Sequence, residues 1–404
     1  MKKQWIKVGL MGLLMLSRSV SAQEAKPASG FQKRKIKIEE INLISGYYFQ
    51  DGNNSAITGG KGTERLNDYA NSLDFTISFI DRYQRQHSIN TDFNIDYYTS
   101  ASSDQIDPLT RTSASYDDLH IYPSLTYAIK DDNNRTNKSL SYFFSTEWDY
   151  VSHGASAAFT KSSKDKNREF SVKAGAFLDE YMVILPSELR PGFYPSGAED
   201  DQRGIDYKPR NSYSLALSLS QVVNERLQLM AVLEPGFQEG LLSTPFHRVY
   251  FSNGNHTTER LPGTRFKVPL GLRLSYFAGD QTVIRAFYRF YADTWGMLAH
   301  TINLEVPYKI SPFFSVSPFY RFNTQQAVNY FKPYGKHLSN QSFYTSDYDL
   351  STFQSSFIGA GVRLSPPGGI GGLAPFNALE LRYGYYHRSN GMLGHSVTLM
   401  MKFK

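Results

Sequence analysis

The chain has 404 residues, 43 of them basic and 37 acidic, with 28 Tyr, 28 Phe and no cysteine. The missing thiols exclude structural disulfides, a CxxCH haem attachment and thiolate metal clusters. Beyond residue 22 no apolar run reaches the roughly 18 residues that a membrane-spanning helix needs.

Residues 1–22 carry the pattern of a secretory signal peptide: Lys2, Lys3 and Lys7, then an apolar stretch from Val8 to Leu16, then Val20-Ser21-Ala22 as a small-residue cleavage site. With Arg18, four of the 43 basic residues lie in this segment and no acid does, leaving 39 against 37. That balance offers no concentrated basic patch for nucleic acid. A polar leader follows over 23–34.

From residue 35 onward apolar and polar residues alternate with period two. In SINTDFNIDYY, Ile89, Thr91, Phe93, Ile95 and Tyr97 share one face, and Asn90, Asp92, Asn94, Asp96 and Tyr98 the other. RFKVPLGLRLSYF sets Phe266, Val268, Leu270, Leu272, Leu274 and Tyr276 against Lys267 and Arg273, and TINLEVPYKI and NALELRYGYY repeat the pattern. Such faces suit half-buried strands and no helix. Sixteen strands are predicted, near 35–50, 66–80, 86–100, 118–130, 138–150, 154–162, 168–181, 211–222, 226–238, 264–278, 281–292, 298–310, 313–323, 351–365, 376–388 and 394–404. Fourteen is the nearest alternative count, because strand six is short and strand fourteen weakly patterned.

The connections have a parity of their own. Those after even strands are mostly short and polar (DRYQR, DDNNRTN, KSSKDKN, NER, GD, SP), with SPPGGIGGLAP the longer one. Several after odd strands are long: DGNNSAITGGKGTE, SSDQIDPLTRTSASYDD, 182–210, 239–263 and 324–350. The fold expected over 35–404 is therefore all-β, a single transmembrane antiparallel barrel of about 16 strands with short periplasmic turns and long extracellular loops. Such a barrel must pair its last strand with its first, so the C-terminus HSVTLMMKFK is wall rather than tail. Val397, Leu399, Met401 and Phe403 alternate up to a near-terminal aromatic, as in the strand by which barrel-assembly machinery recognises its clients; Lys404 after Phe403 departs from that pattern.

DGNNSAITGG, TERLNDYANSLD, YYTSASSDQIDP, IYPSL and KSSKDKNREF, in this order, resemble domain-of-unknown-function family 3570 of Gram-negative outer-membrane β-barrel proteins. The likeness runs from about Ile36 to the end. It implies the barrel and supplies no catalytic or ligand residue to carry over.

Enzyme and metal signatures are missing. The nine histidines include no HExxH or HxxxH pairing, and no GxSxG elbow or Walker-type loop occurs. His300 and His387, near strand ends, are the only tempting bases, and rim histidines are the better reading. Asp51, Asn53 and Asn54, then Asp104 and Asp107, then Glu199, Asp200 and Asp201 form loop clusters of the kind calcium uses, but the spacing is that of solvated turns. Tyr47, Phe49, Tyr97, Tyr150 and Tyr385 fit interfacial girdles.

With the apolar faces turned to lipid, strands two to five send Asp74, Asp92, Asp96, Glu147 and Asp149 inward. Strands ten to fifteen send Lys267, Arg273, Arg285, Arg289, Arg321, Arg363 and Arg382, with Glu305, Lys309 and Glu380 among them. Strand three faces strand eleven in a 16-strand ring, so an acidic wall would oppose a basic one and set a transverse field. Equally, these charges could pair with loops folded inward from 182–210 and 324–350.

The first functional reading is a porin-like passive channel for small polar or charged solutes, because barrels of this size leave an aqueous lumen unless loops fill it. The alternative is a closed scaffold that anchors a lipoprotein or an exported redox partner. A fatty-acid-type transporter comes last, since the leader is too short for a hatch and the inferred lumen is charged. None of these needs a cofactor or a catalytic residue. The expected partners are outer-membrane lipids, the assembly machinery and a second copy of the chain, and the expected location is the outer membrane of a Gram-negative bacterium.

Overall fold

A computed structural model describes residues 36–99, 102–106, 117–190 and 206–404 of the protein. The signal peptide, the leader, Asp107 and the Glu199–Asp201 cluster lie outside them.

Sixteen antiparallel strands form one closed wall. They are β1 Lys37–Asp51, β2 Leu66–Ile80, β3 Gln86–Thr99, β4 Asp117–Ile121 with Ser124–Asp131, β5 Thr136–Thr146 and β6 Tyr150–Ser162. Next come β7 Arg168–Val183, β8 Asp206–Asn224, β9 Leu227–Leu233 with Gly236–Gly240, β10 Thr264–Ala278 and β11 Thr282–Asp293. The last are β12 Leu298–Glu305 with Tyr308–Ser311, β13 Phe314–Gln325, β14 Phe353–Leu364, β15 Phe376–Arg388 and β16 Leu393–Phe403. Each strand pairs with its neighbours in sequence. The ring closes where β1 meets β16, from Ile41 against Phe403 to Asp51 against Leu393. Closure leaves no free edge, which is what lets a sheet exist in lipid.

β4, β9 and β12 are each interrupted before a proline: Tyr122-Pro123, Glu234-Pro235 and Val306-Pro307. Proline removes one donor from the ladder, but the flanking residues keep theirs. Tyr122 N donates to Asn94 O, Glu234 N to Pro269 O and Val306 N to Pro318 O, each at 3.0 Å. The barrel therefore passes through these points unbroken.

Side chains alternate as the pattern requires. Leu73, Phe93, Leu125, Leu140, Leu272, Ile302, Ile358 and Leu381 are exposed on the outer face, an apolar band for lipid. Tyr47 and Tyr97 are exposed there too. Tyr150 departs from the girdle expectation. It turns inward against Tyr181, with ring centroids 6.5 Å apart, because its neighbour Ser152 belongs to the buried face and donates to Asp179.

Strands five and six differ from the sequence reading as well. β5 stops at Thr146 and β6 starts at Tyr150, so the hairpin lies over 147–149 rather than beyond 150. The start of β6 (YVSHGASAA) is rich in Ser, Gly and Ala, and its missing apolar contrast hides the strand.

At the outer end, connections 52–65, 241–263 and 326–352 pack on one another as a cap. Its core is Leu242, Leu261, Trp295, Met297 and Val328, with Tyr291, Tyr330, Phe331 and Leu350 around them. Arg260 and Tyr344 exchange main-chain hydrogen bonds, and a short hairpin of Arg248–Tyr250 and His256–Thr258 rises from the first of the two longer connections.

Candidate functional site

On β2 and β3 the inward positions bring Asp74 directly opposite Asp92. Asn90 Nδ2 donates to Asp74 at 3.0 Å, Ser124 Oγ to Asp92 at 2.9 Å and Tyr122 Oη to Asp96 at 2.8 Å. No Lys or Arg lies in ion-pair range of the three among the described residues. Neutral donors orient the carboxylates, and His120 Nδ1 stands 4.0 Å from Asp96 Oδ2.

Glu147 and Asp149 are not on this wall. They occupy the connection between β5 and β6, where Asp118, at the rim end of β4, joins them within 4.8 Å. Tyr98 Oη donates to Glu147 at 2.8 Å. Burial, then the like charges of Glu147 and Asp118, push the Asp149 carboxyl up to about 6.

On the other side, β10 carries Lys267 and Arg273, β11 Arg285 and Arg289, β13 Arg321, β14 Arg363 and β15 Arg382. Glu305 on β12 accepts from Arg382 Nη2 at 2.9 Å and lies 3.5 Å from Arg285 Nη1. Glu380 is 3.4 Å from Arg363 and 3.2 Å from Arg382. Arg273, Arg289 and Arg321 have no acidic partner among the described residues and lie over the Phe287, Tyr291 and Phe357 rings at 5.7, 6.0 and 4.9 Å. The wall thus carries unpaired cations beside a small in-wall ion-pair network.

The two walls share open space. A cavity of about 290 Å³ is bounded by Asp74 and Asp92 on one side and Arg363 on the other, with Glu40 and Lys402 between. Nearer the outer end, a cavity of about 550 Å³ lies between inward residues (Tyr48, Arg321, Phe357, Tyr386) and cap residues (Ile57, Glu64, His247, Asp347, Asp349). The cap reaches over the lumen without pairing with the seven basic-wall residues among the described contacts. One tie to the wall is Arg388, which donates to Asp349 Oδ1 at 2.6 Å and Tyr348 O at 2.8 Å and is 4% exposed. Arg248 of the cap is clamped on Glu188, from the connection after β7, at 2.6 and 2.8 Å and donates to Ile57 O at 3.0 Å. The guanidinium holds the Glu188 carboxyl down to about 2.

Sequence reasoning missed Arg388, Arg248 and one further signal. YRFYADTWGMLAH (288–300) and YGYYHRSNGMLGH (383–395) are variants of one hairpin. Gly296 and Gly391 take φ of 88° and 94° at the turn, a conformation that favours glycine. Tyr288 Oη meets His300 Nδ1, and Tyr383 Oη meets His395 Nδ1, both at 2.8 Å on the outer face. His300 is thereby a cross-strand partner of tyrosine; His387 pairs in register with Leu393 on the same face. Comparing the chain with itself at an offset of 95 residues exposes the repeat. Of the loop clusters, Asp51 is 3.4 Å from Arg65 Nε, and Asp104 accepts from Thr63 Oγ1 at 3.0 Å.

A closed sixteen-strand barrel with an apolar outer band and a charged interior is a transmembrane β-barrel of the outer-membrane kind. The chain belongs to the family described as protein of unknown function (DUF3570), which it matches over residues 82–400. That span contains YYTSASSDQIDP, IYPSL and KSSKDKNREF and begins after DGNNSAITGG and TERLNDYANSLD. No curated protein matches the chain in sequence. Among solved structures it is similar to Pseudomonas aeruginosa OpdO at 7% identity, covering 90% of this chain and 95% of that one, with a TM-score of 0.41. A mutant of the monoaromatic hydrocarbon channel TodX gives 9%, 93%, 90% and 0.44 in the same order. A BenF-like porin from Pseudomonas fluorescens Pf-5 gives 9%, 90%, 97% and 0.40. Likenesses this distant carry no argument about activity.

Proposed function

We propose that the protein is a porin-like passive channel for small polar or charged solutes, with a folded cap narrowing its outer mouth. One observation carries this. Arg285, Arg363 and Arg382 point inward, yet 54%, 41% and 36% of their side-chain surface remains accessible, so the lumen beside them has room for water. The unpaired Arg273, Arg289 and Arg321, opposite Asp74, Asp92 and Asp96, would then set ion preference through a transverse field. Residues 1–22 would direct export to the outer membrane of a Gram-negative bacterium, and Val397, Leu399, Met401 and Phe403 would serve assembly.

The packing of the cap favours a second reading, a closed scaffold that anchors a lipoprotein or an exported redox partner. Swelling of liposomes containing the refolded protein in neutral sugars of rising mass separates the two. A channel admits the smallest and excludes larger ones. Folded protein that admits none sinks the channel and leaves the scaffold.

A further inference from the structure

His247 and Glu259 sit one residue pair beyond the base of the cap hairpin, joined by the hydrogen bond from Glu259 N to His247 O at 2.8 Å. Both belong to connection 241–263. Asp347 arrives from connection 326–352, brought alongside by the main-chain pairing of Arg260 with Tyr344. His247 Nδ1 lies 4.0 Å from Glu259 Oε1 and 3.9 Å from Asp347 Oδ2, and one ligand atom from each residue falls within 4.8 Å of the other two.

The polar contacts around this trio are those of a ligand set. Glu259 is buried at 6% exposure; its Oε2 accepts from Thr244 N at 2.7 Å and its Oε1 from Thr345 Oγ1 at 2.5 Å. Asp347 Oδ1 accepts from Asp349 N at 2.8 Å, which turns Oδ2 toward the imidazole. Second contacts of this kind fix carboxylates that bind metal. His247 Nδ1, in contrast, is a fully buried nitrogen aimed at both carboxylates with no hydrogen-bond partner among the described residues. A buried ring nitrogen left in that state is costly, and a cation between it and the carboxylates satisfies all three.

We propose that His247, Glu259 and Asp347 bind one divalent transition-metal ion, zinc by ligand chemistry. Two carboxylates balance its charge, and an imidazole favours it over calcium or magnesium. Bonds of about 2.0–2.2 Å bring tetrahedral ligands to roughly 3.4 Å apart, so the imidazole closes on each carboxylate by about 0.5 Å on binding. Because the ligands come from two connections, the ion pins the two longer cap segments to each other. His247 and Asp347 also line the cavity of about 550 Å³, so the remaining coordination positions face the lumen. Nothing in this depends on the lumen conducting.

The test is zinc uptake by the full refolded chain in detergent, by equilibrium dialysis against a weak competing chelator, with X-ray absorption at the zinc edge. The site predicts about one zinc per chain, bound through one imidazole nitrogen and carboxylate oxygens, and affinity at least about tenfold weaker in His247→Ala and in Asp347→Asn. His153→Ala, on the outer face beside Tyr142, should bind as the parent does. Two results overturn the proposal: no stoichiometric uptake by the parent, or a parent spectrum without imidazole. Both are read on the parent chain, so a variant that fails to fold does not protect the idea. Uptake unchanged in both folded variants also overturns it.

Discussion

Glu305 stands between two cations of the basic wall, accepting from Arg382 at 2.9 Å and lying 3.5 Å from Arg285, whereas Arg289 has no acidic neighbour among the described residues. Substitutions at the two positions should therefore move ion preference in opposite directions. A unit charge about 7 Å from a permeating ion in lumen water contributes about 0.6 kcal/mol. Screening at 0.1 M salt halves that to about 0.3 kcal/mol. Arg289→Glu changes the wall by two charges, so cation and anion move apart by about 1.2 kcal/mol, or about sevenfold in permeability ratio toward cations. Glu305→Gln frees two arginines for one lost charge, giving about 0.6 kcal/mol, or roughly threefold toward anions. Focusing by the low-dielectric wall can only enlarge both shifts. Reversal potentials under a potassium chloride gradient in planar bilayers read the ratio directly. Shifts of the same sign, or no shift from either variant, would refute the lumen assignment.

Three other outcomes follow from the geometry. Trp295→Ala removes the centre of the cap core, where the ring is 3% exposed and Nε1 donates to Thr264 O at 3.0 Å. A loss of about 3 kcal/mol, local to the cap, should make trypsin cut at Arg260 and Lys336 while the wall stays intact; unchanged proteolysis would refute that core. Asp149, with its carboxyl raised to about 6, keeps its proton when folded at pH values where the unfolded chain has released it. Its cost to stability therefore grows from about pH 4 to about pH 6 and is complete above that range. Asp149→Asn should raise the melting temperature at pH 8 and lose that advantage towards pH 4; a gain independent of pH would contradict the buried-carboxylate account. Phe403, which pairs with Ile41 at the seam, stacks on Phe376 of β15 with centroids 4.8 Å apart. Phe403→Ala should lower the yield of heat-modifiable, folded barrel in outer-membrane fractions, and an undiminished yield would remove the residue from assembly.

The wall was legible because barrel strands write a period of two into the chain. Phe266 to Tyr276 and Ile89 to Tyr97 show it without interruption, and the contrast between GD or SP and 324–350 supplied the parity. Legibility failed where that contrast fades. The Ser, Gly and Ala residues of β6 concealed its first four positions, and with them the fact that Glu147 and Asp149 are rim rather than wall. Asp74, Asp92 and Asp96 and the seven basic residues were readable as two groups, because alternation assigns faces. Which arginines Glu305 and Glu380 would occupy was not, since that needs neighbouring strands in register. The cap left no periodic trace: Leu242 and Leu261 from one connection, Trp295 from a tight turn and Val328 from another connection meet only in three dimensions. His247, Glu259 and Asp347 are separated in the same way, and no spacing rule spans such gaps.

The account rests on an aqueous passage through the barrel, and single-channel current through the refolded protein in a planar bilayer measures it most directly. Steady conductance that rises in proportion to salt concentration is the predicted result. A folded, correctly inserted barrel that stays silent at every voltage would show that the cap closes the lumen and would contradict the channel.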